Sequence, residues 1–355
     1  MRILTILGAR PQFIKASVQS KAFKKYPQIE EIIVHTGQHY DFKMSEIFFS
    51  DLNIPKPKFF LEAGGTTHSK MTGKIMEGIE KIIFKTKPDR VLVYGDTNST
   101  LAGALSGAKL NIPIIHIEAG LRSFNLKMPE EINRILTDRI SSLLFCPTQN
   151  AYENLKKEGF LNFPCKIHVS GDVMFDCVKQ YSQYAKKPNI PISSNFTLAS
   201  IHRAENTDDI DKLKSIFEAI EFIAKKHQVI LPLHPRVAKI LSDQKIKFSN
   251  ITITEPLGYL EMIWLLQNSK CVLTDSGGLQ KEAYFFCKPS LILRNESEWI
   301  ELTQNNCNIL VGADKERIID SFANISKLFN SPFPKHLFGN GFASELIAEN
   351  ILEQI

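Results

Sequence analysis

The 355-residue chain carries little that would suit a metal, redox, membrane or nucleic-acid protein. Its six cysteines (Cys146, Cys165, Cys177, Cys271, Cys287 and Cys307) are scattered, with no C-x-x-C pair and no metal-ligand spacing. They read as small core residues of a reducing cytoplasm. No apolar run approaches the roughly 20 residues needed to cross a bilayer. The opening run Ile3 to Leu7 stops at Gly8 and is too short for a signal-peptide core, so it reads as a buried strand. The formal charge of +5, from 43 Lys and Arg against 38 Asp and Glu, is too small to signal a nucleic-acid or membrane surface. Neither a Walker motif nor a G-x-G-x-x-G is present, which disfavours a nucleotide triphosphatase and a classical NAD enzyme.

What is present is an ordinary globular composition, 43% hydrophobic and 23% charged, long enough for two domains with a cleft between them. Apolar runs end in polar or glycine residues and alternate with helical patterns. The first series is Ile3 to Leu7, Ile32 to Val34, Val91 to Tyr94, Ile112 to Ile117, Leu143 to Phe145 and then Val169. Between them, Met71, Ile75, Met76, Ile79, Ile82 and Ile83 put one apolar stripe on a helix that Pro88 stops. A second series follows: Phe196 to Ile201, Val229 to Leu231, Ile251 to Ile253, Cys271 to Thr274, Leu291 to Leu293 and Ile309 to Val311. Two βαβ series predict an α/β protein with two parallel sheets. The break falls between Gly171 and the Pro-, Ser- and Asn-rich stretch 187–195, and the tail from Ala343 has a helical apolar stripe.

In open parallel sheets, ligands bind beyond the carboxyl ends of the strands, so the residues after each run are the candidates. The first run delivers Gly8-Ala9-Arg10-Pro11 and then Lys15. Pro11 suits a first helical turn, which places two cations beside backbone N–H groups, an arrangement fit for a phosphate. Later runs deliver Gly95-Asp96-Thr97, Glu118-Ala119-Gly120-Leu121-Arg122 and Pro129-Glu130-Glu131. These acids converge on one sheet edge, where crowded carboxylates shift one another's pKa and serve as general acid or base. Blander roles stand beside these: Asp96 as a helix cap, and Glu131 as a partner of Arg134 or Arg139. The second half supplies His202-Arg203 with Glu205-Asn206, and Asp275-Ser276-Gly277-Gly278. The paired glycines let backbone N–H groups close on a pyrophosphate, with Glu282 further along the helix in reach of ribose hydroxyls.

Taken together and in this order, these motifs, with His35-Thr36-Gly37-Gln38-His39, resemble the non-hydrolysing UDP-N-acetylglucosamine 2-epimerases along essentially the whole chain. The resemblance implies two Rossmann-like domains of glycosyltransferase-B type. These are an N-terminal domain of residues 1–171 holding the acid/base carboxylates, a UDP-binding domain of residues 172–340, and a C-terminal helix in 341–355 packing back on the first domain. It implies a cytoplasmic homodimer acting on a UDP-sugar for surface polysaccharide, with no metal and no NAD. The implied reaction expels UDP, passes through 2-acetamidoglucal and re-adds UDP after protonation on the other face. Asp96, Glu118 and Glu130 then look like the acid/base and ring-stabilising carboxylates, with Glu130 preferred over Glu131 because it follows Pro129. Arg10, Lys15 and His202 look like the groups that hold or discharge the diphosphate. Ser276, Gly277 and Gly278 look like its binding turn, and Glu282 like the ribose anchor.

Some residues depart from the best-known members. Trp299 stands in Arg294-Asn295-Glu296-Ser297-Glu298-Trp299 where a planar cation is expected, which should alter how that wall packs on the nucleotide. His68 and Asp41 replace residues of members activated by their own substrate. With Ala204 after His202-Arg203, this set looks more like the branch acting on UDP-2,3-diacetamido-2,3-dideoxyglucuronate. A glycosyltransferase of the same architecture, a hydrolysing epimerase and a non-catalytic nucleotide-sugar sensor are the rival readings.

Overall fold

Strand β1, Arg2–Leu7, is buried at its last five positions without the alternation of a half-exposed strand, as a parallel sheet covered on both faces requires. The computed structural model describes residues 1–38, 52, 54–329 and 331–354; His39 and Asp41 lie outside them. Two compact units are formed, one of Met1–Gln180 with His336–Ile355 and one of Tyr181–Lys335.

Among the described residues, the first unit has a parallel sheet in the order β3-β2-β1-β4-β5-β6-β7. Its strands after β1 are β2 (Glu30–His35), β3 (Phe59–Phe60), β4 (Arg90–Tyr94), β5 (Ile114–Ile117), β6 (Leu143–Cys146) and β7 (Lys166–Val169). Leu4 pairs with Ile32 on one side and Val91 on the other. The striped helix runs His68–Thr86 and buries Met71, Ile75, Ile79, Ile82 and Ile83. It ends at Lys87, in the left-handed region at φ 47°, directly before Pro88. Its apolar face joins Leu4, Ile6, Val34, Val91 and Val93 in one core, where each large aliphatic side chain stabilises by roughly 1.5–3 kcal/mol.

Residues 172–180 and 336–340 belong to the first unit, whereas residues 171 and 340 are the limits the sequence leads one to expect. Packing explains this: the helix Val173–Tyr181 sends the Cys177 thiol to the carbonyl of Ile14 at 3.2 Å. Its Asp176 accepts from the backbone N–H of Ala343 and Ser344, at 3.1 and 2.7 Å, and from the Ser344 hydroxyl at 2.6 Å. The carboxylate thus caps the helix Ala343–Leu352, which lies against the helix Arg10–Phe23 through Gln19 and a Lys25–Glu345 ion pair.

The second unit has a parallel sheet in the order β10-β9-β8-β11-β12-β13. The strands are β8 (Phe196–Ser200), β9 (Gln228–Pro232), β10 (Thr252–Thr254), β11 (Cys271–Thr274), β12 (Ser290–Ile292) and β13 (Asn308–Leu310). Ile216, Phe217, Ile220, Leu231, Leu273 and Leu291 are fully buried in its core. In both sheets the strand order reverses beside the first strand, between β1 and β4 and between β8 and β11. Such a switch point leaves a crevice at the carboxyl ends. Four cysteines are buried, as small apolar residues would be, but Cys287 is exposed, on a left-handed turn (φ 52°) after the helix Gly277–Phe285. No described helix is long and apolar enough to cross a membrane.

Candidate active site

The loops carrying Arg10, Asp96, His202 and Ser276 follow the strands that flank these two switch points, β1, β4, β8 and β11, and the turn carrying Glu118 follows the next strand, β5. In the first unit, β1 turns at Gly8 into its helix. A Cβ on Gly8 would lie 2.0 Å from the Ser99 hydroxyl and 2.2 Å from that of Thr36, so only glycine fits. Gln12, to which no role had been given, holds this turn. Its side-chain oxygen accepts from the N–H of Gly8 and Ala9 at 2.8 and 3.0 Å, while its amide donates to the Tyr94 carbonyl and to the Thr97 and Thr100 hydroxyls. Arg10 begins the helix, half-buried. Lys15, one turn on and buried, forms an ion pair with Glu118.

Glu118 follows β5 in the left-handed region (φ 71°), an uncommon place for a residue with a Cβ. Such strain clusters at functional positions. Gly95 makes room for it: a Cβ there would sit 2.9 Å from Glu118 Oε2. Asp96 is not the helix cap, since Thr97 fills that place by accepting from the Thr100 N–H. Instead Asp96 accepts from Arg134 Nη2 at 2.5 Å, with its side chain 30% exposed. The backbone carbonyl of Asp96 accepts from Asn133 at 2.9 Å.

The helix Pro129–Ile140 separates its two acids. Glu131 is fully buried and accepts from the backbone N–H groups of Ser123 and Phe124, at 2.9 and 2.8 Å, and from Arg134 at 3.0 Å. Its carboxylate is therefore an anchor for the loop before the helix, the blander role with Arg134. Glu130 is half-buried one position earlier. Asp138 is fully buried between His116 and Arg122. Burial alone would raise its pKa, but the hydrogen bond and charge of His116 and the charge of Arg122 outweigh it and hold the carboxyl below the usual range.

In the second unit, Asp275 organises the switch point and was not assigned a role from sequence. Fully buried after β11, it accepts from the N–H of His202 and Arg203 and from the Asn206 amide, at 3.0–3.1 Å. Asn206 in turn donates to the Leu293 carbonyl at 2.9 Å. The His202 ring is about one-third exposed. Ser276 is the N-cap of the helix Gly277–Phe285, and Glu282 sits on that helix, 8% exposed. Gly277 is tightly enclosed, since a Cβ would lie 2.3 Å from Glu298 Oε1, whereas a Cβ on Gly278 would meet, among the described residues, the Ser276 hydroxyl alone, at 3.9 Å.

The expected effect of Trp299 is corrected. The ring is buried beneath Lys281, whose ammonium lies 4.0 Å from its centroid, so it packs inside the unit rather than forming an open wall. The planar cation of this loop is Arg294, which grips Glu205 at 2.7 Å and Glu298 at 2.8 Å. Burial works against its charge, yet the two carboxylates raise its pKa overall.

Two Rossmann-like units with polar clusters at both switch points define a protein of the glycosyltransferase-B fold class. The chain belongs to the UDP-N-acetylglucosamine 2-epimerase family, whose sequence profile matches residues 21–352. It is 54% identical, over 98% of its length and 99% of the relative's, to the UDP-2,3-diacetamido-2,3-dideoxy-D-glucuronate 2-epimerase of Pseudomonas aeruginosa. It is 43% identical, over 98% of both chains, to the UDP-N-acetylglucosamine 2-epimerase of Methanocaldococcus jannaschii. A crystal structure of the Methanocaldococcus jannaschii UDP-GlcNAc 2-epimerase in complex with UDP-GlcNAc and UDP superposes with a TM-score of 0.92 at 41% identity, covering 99% of this chain and 100% of that one.

Proposed function

We propose that the enzyme inverts C2 of a UDP-2-acetamido sugar by expelling UDP from C1 with loss of the C2 proton, which leaves the C1–C2 double bond of 2-acetamidoglucal, and then returning a proton to C2 on the opposite face as UDP re-adds to C1. The C2 proton of the bound sugar has no neighbouring carbonyl, so loss of the anomeric C–O bond first gives the oxocarbenium character that acidifies it. Asp96, Glu118 and Glu130 are the carboxylates assigned to proton removal, proton return and ring stabilisation. Glu130 is preferred over Glu131, whose oxygens are engaged by Ser123, Phe124 and Arg134. Arg10, Lys15 and His202 are assigned to the diphosphate, with Ser276, Gly277 and Gly278 as its binding turn and Glu282 at the ribose.

The observation that carries this reading is the Asp96–Gly95–Glu118 arrangement, two acids from adjacent strand ends with Lys15 paired to one of them. The 54% identity to the diacetamido-glucuronate enzyme, against 43% to a UDP-N-acetylglucosamine enzyme, favours the diacetamido-uronate as substrate, with UDP-N-acetylglucosamine the second reading. A homodimer in the cytoplasm, supplying surface polysaccharide, belongs to the same proposal. Proton NMR in heavy water, run without acceptor on both UDP-sugars, tests it. Epimer formation with deuterium at C2 is expected. Transfer chemistry, or accumulation of free sugar with UDP, overturns it.

A further inference from the structure

The helix Pro129–Ile140 supplies more than Glu130. Glu131, Arg134 and Asp138, spaced three and four apart, share one helix face and reach the loops after β4 and β5. Asp138 Oδ2 accepts from the Gly120 N–H at 3.1 Å and from Arg122 Nη1 at 2.7 Å, and Oδ1 lies 2.7 Å from His116 Nδ1. Arg122 is itself held by Glu158 at 2.7 and 2.9 Å. The other ring nitrogen of His116 lies 2.7 Å from the Gly95 carbonyl.

A carbonyl oxygen only accepts, so His116 Nε2 carries a proton. Asp138 accepts from Arg122 and Gly120 at Oδ2, and its Oδ1 faces Nδ1 as a further acceptor, so the contact geometry calls for an N–H on that ring nitrogen as well. The charged groups around it are Asp138 and Arg122 with Glu158 beyond. The Cys146 thiol on β6 is kept protonated by burial and by Asp138, and the Lys15–Glu118 pair stands across Gly95. One carboxylate therefore fixes two turns: Gly120 directly and Gly95 through the ring. Gly95, at φ 61°, is also tied by its N–H to the Ile117 carbonyl at 2.9 Å.

We propose that Asp138 is a positioning residue for the C2 chemistry, acting through a doubly protonated His116 on the Gly95 carbonyl and so setting the relation of Asp96 to Glu118. This rests on the epimerase reading above. Displacement of reacting groups by about 1 Å is enough to lose roughly 100-fold in rate.

Two variants of the ring divide its contacts. His116→Gln keeps an amide donor where Nε2 meets Gly95, whereas His116→Asn keeps a donor toward Asp138 and loses Gly95. On a UDP-sugar that the wild type epimerises, His116→Gln is expected to stay within about tenfold of wild-type kcat. His116→Asn is expected to fall about 100-fold, with KM within about threefold. Nitrogen NMR of histidine-labelled protein supplies the second readout. The signal absent from His116→Gln should report both ring nitrogens protonated at the pH of the kinetic assay, and should lose one of the two protons in Asp138→Asn. Equal kcat in the two His116 variants, or a neutral ring in the wild type, overturns the proposal while leaving the epimerase reading intact. A wild type that incorporates no deuterium from heavy water into any UDP-2-acetamido sugar overturns both.

Discussion

Lys15 and Glu118, 103 residues apart in sequence, form an ion pair whose side chains are only 7% and 11% exposed. The pair joins the helix after β1 to the turn after β5, beside the space that Gly95 leaves open. Removing one member of a buried pair leaves a charge that water cannot reach, which typically destabilises by about 3–5 kcal/mol. Lys15→Ala is therefore expected to lower the urea midpoint clearly and to abolish measurable turnover. A midpoint unchanged from wild type would mean that the pair contributes nothing to the folded state.

The two neighbouring glutamates should separate by phenotype. Glu131→Gln converts an acceptor of two backbone N–H groups and an arginine into an amide, so stability should fall by about 1–3 kcal/mol. Glu130→Gln should lose at least about 100-fold in deuterium incorporation at C2. Full turnover in Glu130→Gln with loss in Glu131→Gln would reverse their order.

Acid stability should report Asp138. Its folded-state pKa is depressed, so its contribution is present above the unfolded value of about 3.9 and is lost as pH falls through the folded value. Thermal melts of wild type and Asp138→Asn should differ most near pH 7, and the gap should narrow below about pH 4. A gap independent of pH would show that the carboxylate's charge is not what stabilises.

Asp275 should matter for nucleotide affinity without touching any reacting atom. Asp275→Ala leaves the buried N–H groups of His202 and Arg203 without their acceptor, so the turn carrying His202 should relax. UDP binding by calorimetry should weaken about tenfold or more, equivalent to about 1.4 kcal/mol. Unchanged affinity would separate this turn from nucleotide binding.

Most strands were legible because fully buried parallel strands read as continuous apolar runs closed by turn residues, as at Ile3 to Leu7 and Cys271 to Thr274. Phe59–Phe60 escaped because two residues carry no period. The candidate turns were legible for the same reason as the strands they follow. Gln12, Asp138 and Asp275 were not, since each acts by hydrogen bonds to loops distant in sequence, and no local pattern encodes which backbone N–H it will meet. The spacing of Glu131, Arg134 and Asp138 was visible, but it equally describes a solvated helix face. Trp299 misled because its neighbour in space, Lys281, comes from a different helix.

The capping of Ala343–Leu352 by Asp176 has a bearing on biosynthesis. A ribosome makes the strands of the first unit early, then the whole intervening unit, and only afterwards the segment that covers Gln19 and Lys25. Until that segment emerges, the nascent polypeptide holds an uncovered seam, so a premature stop codon near position 340 would damage the portion translated first.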